Sequence, residues 1–125
     1  MLFLTLILAV IMTSIHAGGD IEVIDLDRES LFPAIKDNRL LFVFFFDKND
    51  GVTERQLIEL FKAGNMLKKG GETLKIGRYE GQVTPRIENT LKVFKFPKLI
   101  FFNEGKRVPY NGGKMSRQIY SWVKR

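Results

Sequence analysis

The sequence contains no cysteine. No disulfide can form within it, no thiolate can act as a nucleophile, and no cysteine-ligated metal can be held. A secreted domain of this size often relies on disulfides, so the stability of this one has to come from its apolar core. Histidine is nearly as scarce. The one histidine, His16, lies in an apolar leader-like stretch, which leaves the remainder without a histidine general base or the usual zinc ligands. There is no Asn-x-Ser/Thr acceptor, no internal repeat and no low-complexity segment. Acidic residues are in deficit, 14 against 20 Lys and Arg, for a net charge of +6. The basic residues are scattered and never form a compact run, which argues against a nucleic-acid or heparin tract. A solvated basic surface is the plain reading, and a basic face toward an acidic partner is the alternative. Asp47, Asn49 and Asp50 are close in sequence but lack the ligand order and closing glutamate of a calcium loop. No metal site and no cofactor are expected.

The segment Met1 to Ala17 carries no Asp, Glu, Lys or Arg, and its apolar run ends in Ser14-Ile15-His16-Ala17. That small-x-small ending fits a signal-peptidase site, and the run is short for a membrane span. The expectation is a signal peptide over residues 1–19 and one domain over residues 20–125, with no lasting membrane insertion after cleavage; the alternative is a signal anchor. Residues 20–125 suffice for one self-sufficient core.

That core centres on Leu40-Leu41-Phe42-Val43-Phe44-Phe45-Phe46, an unbroken apolar run ending at Asp47. Such a run reads as a strand buried on both faces. It leads through a polar turn to a helix expected from Thr53 to about Lys69, with Thr53 and Gln56 at capping-box spacing and Gly64-Asn65 weakening or bending its middle. Earlier, Ile21 to Asp25 reads as a strand. A helix follows to Lys36, starting at Asp27 or, if Pro33 is to fall in its first turn, at Ser30. Later come a strand at Thr73–Tyr79, a helix capped by Thr84 with Pro85 at its first position, and a strand at Lys98–Phe102. A hairpin turn through Asn103–Lys106 leads into Arg107–Tyr110. The last helix is expected to turn Met115, Ile119, Trp122 and Val123 inward. The order β-α-β-α-β-α-β-β-α predicts an α/β fold, a mixed sheet with helices on both faces and an antiparallel hairpin at one edge.

Three stretches give this order a family look. Val43-Phe44-Phe45-Phe46 is similar to the V-x-F-Y strand of protein disulfide isomerase domains. Val93-Phe94-Lys95-Phe96-Pro97 is similar to the V-x-x-[FY]-P that holds their cis-proline. Gly105 through Tyr110-Asn111-Gly112 is similar to the ending before their final helix. Residues 20–125 thus resemble the thioredoxin-like domain of the protein disulfide isomerase family. Carried over position by position, the resemblance puts the two redox cysteines on Asp50 and Thr53, and the buried acid of the active enzymes on Phe44. Sulfurs and acid are therefore all replaced. Phe46-Asp47 followed by Glu54-Arg55-Gln56, and Val108-Pro109-Tyr110 followed by Gly112, resemble the redox-inactive Windbeutel-type secretory chaperones of the endoplasmic reticulum (ER). A helical C-terminal domain and an ER-retention signal, which those chaperones have, are not in the sequence as it stands.

The resemblance implies a non-enzymatic, redox-inactive protein of the ER lumen or secreted space that binds unfolded or secreted client polypeptides, as a homodimer if the likeness extends that far. The alternative is a non-catalytic subunit or module of a larger isomerase-like assembly. The peptide-binding residues it implies are Asp50, Gly51, Val52, Thr53, Phe96 and Pro97, with the Phe96-Pro97 bond cis. The residues by themselves also fit plainer roles: Asp50 to Thr53 as a turn and helix cap, and Pro97 as a trans turn proline.

Overall fold

The computed structural model describes residues 20–47 and 51–125, the latter with backbone only at 51–53. The expected leader, residues 1–19, and Asp50 lie outside the described residues. Nine elements follow one another: β1 (Val23–Leu26), α1 (Leu31–Asp37), β2 (Leu40–Phe46), α2 (Gly51–Lys69), β3 (Leu74–Glu80), α3 (Pro85–Leu91), β4 (Lys98–Asn103), β5 (Lys106–Pro109) and α4 (Ser116–Lys124). Among the described residues this is the order read from the sequence. The strands form one sheet, β1-β3-β2-β4-β5. β3 pairs in parallel with β1 and β2, and β4 runs antiparallel to β2 and β5.

β2 is the middle of the sheet and every one of its residues is buried. Its side chains alternate between faces, as strand geometry requires. Phe42, Phe44 and Phe46 pack with Leu60, Ala63 and Leu67 of α2 and Ile119 of α4. Leu41, Val43 and Phe45 pack with Leu31 and Ile35 of α1 and Ile87 and Leu91 of α3. Two apolar layers therefore sandwich one strand, which explains why the run has no polar alternation.

The helix ends follow local chemistry. α1 takes the shorter of the two expected starts, with Ser30 at its N-cap position and Pro33 in its first turn. The Asp27 carboxylate accepts from the Glu29 and Ser30 backbone N–H groups instead, which holds it below the ordinary value for aspartate. Thr84 caps α3 as expected, its hydroxyl accepting from Ile87 N–H at 3.2 Å. α2 ends in a Schellman arrangement: Glu72 N–H reaches the Leu67 carbonyl, Gly71 N–H reaches that of Lys68, and Gly71 has φ of +95°.

Two expectations need correction. Helical backbone begins at Gly51, so Thr53 lies inside the first turn of α2 and is not its N-cap; an N-cap residue keeps non-helical backbone angles. Met115 does not turn inward. It sits at the N-cap position of α4 with extended backbone and 58% exposure, its N–H held by the Gln118 side chain.

Gly64, expected to weaken α2, sits within an uninterrupted helix. A Cβ there would lie 2.8 Å from Ile21 Cδ1 and 3.1 Å from Ile76 Cδ1. The glycine lets the helix settle onto the sheet. The next residue, Asn65, ties down the segment before β1 by accepting from Ile21 N–H at 2.6 Å. Gly64→Leu is therefore expected to lower stability by about 1–3 kcal/mol through overpacking, outweighing its better helix propensity. Urea unfolding of the variant checks this.

Candidate functional site

β2 and β4 run in opposite directions, and their register sets Phe44 beside Leu99 and Phe45 beside Lys98. The C-terminal end of the central strand thus meets the segment that enters β4. That segment contains Phe96-Pro97, and the peptide bond between them is cis. α2 passes over the same end with Gln56 and Leu60. The loop after β5 brings Tyr110, Gly112, Gly113 and Lys114, and α4 contributes Ile119. Together they enclose a groove of about 440 Å³.

Phe44, Leu60 and Ile119 form its buried base, at 3%, 1% and 2% exposure. Phe96, Pro97, Leu99 and Tyr110 are half-buried along it. The polar lining is Gln56, Lys95, Lys98 and Lys114. The Tyr110 hydroxyl donates to the Gly113 carbonyl, which closes the loop on itself, and burial raises its pKa above the ordinary 10.0. Gly112 and Gly113 fit this turn because a Cβ at either would run into Tyr110 or Gln118.

The wall of the groove is fastened by Glu59. Its carboxylate accepts from the backbone N–H of Ser116, the first residue of α4, at 2.9 Å and pairs with Lys62 at 3.3 Å. The Ser116 N–H holds the carboxyl below the usual glutamate value, and Lys62 adds to this. A depressed pKa in the folded state means stabilisation that is complete above the unfolded value and lost as pH falls through the folded one. Glu59→Gln is thus expected to lower the melting temperature at neutral pH, with the deficit shrinking as pH falls below 4.5. Thermal melts of both proteins across that range provide the check.

Of the residues implied as peptide-binding, Phe96 and Pro97 lie in the groove. Gly51, Val52 and Thr53 open α2, with side chains outside the described residues. Lys95, Lys98, Leu99, Tyr110, Lys114 and the helix residues Gln56, Leu60 and Ile119 also line it, and the sequence assigns none of them to the peptide-binding set. They converge through the antiparallel pairing of β2 with β4, which places the start of β4 beside the end of β2. Among the described residues no cluster of three or more Asp, Glu or His is placed to hold a metal.

No protein-family model matches the chain. In sequence it is 26% identical over 104 residues, 83% of its length, to protein disulfide isomerase-like 1-4 of Arabidopsis thaliana. It is 28% identical over 89 residues, 71% of its length, to protein disulfide-isomerase of Drosophila melanogaster. It spans only 17% and 18% of those two proteins. In structure it matches the first thioredoxin domain of mouse protein disulfide-isomerase A4 with a TM-score of 0.67 at 16% identity, covering 80% of this chain and 71% of that one. Human ERp44 in its zinc-bound form gives a TM-score of 0.70 at 16% identity, covering 82% of this chain and 30% of that one. The fold is thioredoxin-like. More particularly, the chain is a thioredoxin-like domain similar in sequence to those of protein disulfide isomerases, without a cysteine.

Proposed function

We propose that this chain is a redox-inactive thioredoxin-like protein of the secretory pathway and a member of the disulfide isomerase family. Residues 1–19 direct it into the ER, where it holds segments of unfolded or secreted polypeptides and assists their folding or export. The observation that carries this reading is the groove itself. It has an apolar base, a cis-proline wall and an aromatic at the position where the resemblance puts the active enzymes' acid. Thiol exchange needs a thiolate, and this chain has no sulfur that can supply one. An extended client is held by apolar contacts and by backbone hydrogen bonding of the β-augmentation kind.

The test has two arms. The protein is expected to suppress aggregation of heated citrate synthase at stoichiometric amounts, with the effect reduced in Phe96→Ala, and to reduce insulin no faster than buffer. Reductase turnover, or aggregation unchanged by the protein, contradicts the reading. The small share of its relatives that the chain spans favours a second reading, a non-catalytic module of a larger isomerase-like assembly. Co-purification with one fixed partner, and no effect on general clients, distinguishes it.

A further inference from the structure

Among the described residues the charged lining of the groove is wholly basic: Lys95, Lys98 and Lys114 line it, no described carboxylate does, and none of the three lysines is ion-paired. Elsewhere Arg39 pairs with Glu72, Lys75 with Glu22 and Arg78 with Asp25. The acid on the adjoining wall, Glu59, is already taken up by Lys62 and the Ser116 N–H. Three like charges facing one concavity raise its positive potential, and an anionic occupant relieves it. Beneath them lies an apolar surface of half-buried Phe96, Leu99 and Tyr110. The occupant that fits is therefore apolar along its length and acidic at its edges.

We propose that the groove selects acidic, apolar polypeptide segments, whose large apolar side chains rest on Phe96, Leu99 and Tyr110 while neighbouring Asp or Glu residues meet Lys95, Lys98 and Lys114. This rests on the reading that the groove holds client polypeptide, and it names which clients. Rim charges of this kind set selectivity, association rate and salt dependence more than total affinity.

The test uses the full chain purified from a eukaryotic secretory host and short fluorescent peptides that share their Phe and Leu positions. The intervening positions carry Asp/Glu, Asn/Gln or Lys/Arg. Anisotropy titrations are expected to show the acidic peptide binding about tenfold tighter than the neutral one, the sum of three exposed ion pairs. That advantage disappears at high salt and in the triple variant Lys95→Gln/Lys98→Gln/Lys114→Gln, to which the acidic and neutral peptides bind equally. The substituted side chains are not part of the buried core, and a thermal melt confirms that the variant folds.

Equal affinity for all three peptides overturns the charge selection and leaves client binding standing. Failure of every peptide to bind overturns both. An oligothymidylate that displaces the acidic peptide at the same concentration makes the occupant a nucleic acid and overturns the proposal. So does sedimentation showing a second copy of the chain over the groove, in a dimer that acidic peptide does not dissociate.

Discussion

Phe42→Ala is expected to remove a large share of the stability of the domain. Phe42 is fully buried in the central strand. Its ring lies 4.8 Å from that of Phe101, 6.1 Å from Tyr110 and 6.5 Å from Trp122. Trp122 also touches the other two, standing edge-on to Phe101 at 5.6 Å and to Tyr110 at 4.9 Å. This cluster joins β2, β4, the loop after β5 and α4, which together carry the groove. Truncation of a buried phenylalanine costs about 3–5 kcal/mol, against a total of roughly 5–15 kcal/mol for a domain. A melting temperature lower by about 20 °C follows for a domain of this size, and calorimetry measures it. Phe94→Ala is the control. Phe94 is 65% exposed, so its loss is expected to change stability by no more than about 0.5 kcal/mol.

The second large effect comes from Phe44→Glu, which puts a carboxyl back where the resemblance places the buried acid of the active enzymes. Phe44 is 3% exposed, stacks on Phe46 at 5.9 Å and lies at the base of the groove among Leu60, Leu99 and Ile119. A glutamate there is desolvated, and its folded-state pKa rises by about three units. For an acid whose pKa is raised on folding, the native state is favoured below the unfolded value and weakened as pH climbs to the folded one. At 1.36 kcal/mol per unit, the variant is expected to be about 4 kcal/mol less stable at pH 8 than at pH 4, relative to the same comparison in the parent. Urea midpoints at the two pH values measure this. A pH dependence equal to that of the parent shows that water reaches the base of the groove and that the apolar character of position 44 is not what shapes it.

Much of this was readable from the chain, for physical reasons. A strand buried on both faces has no polar alternation, and Leu40 to Phe46 is such a run. Thr84-Pro85 and Gly70-Gly71 carry the start and stop chemistry that helices use, and the structure uses both. The misreadings arose where local patterns are degenerate. A Thr three residues before a Gln fits a first turn as well as a cap, and the backbone put Thr53 in the turn. Met115 keeps the apolar spacing of α4 but has extended backbone, so the pattern overran the helix. The groove was only half legible. Phe96-Pro97 could be read from a local motif, but Lys95 and Lys98 meet Lys114 and Leu60 only through the β2–β4 pairing and the docking of α4 on α2. Sequence distance hides that kind of convergence.

The claim that matters most is that polypeptide is held in the groove at the end of β2. It is tested most directly by titrating the isotopically labelled protein with reduced, carboxymethylated lactalbumin, a permanently unfolded client, and following backbone amide shifts by NMR. Shifts are expected to concentrate at Lys95, Phe96, Lys98, Leu99 and the loop from Tyr110 to Lys114. No shifts, or shifts confined to the opposite face around Phe32, Ile87 and Leu91, would contradict it.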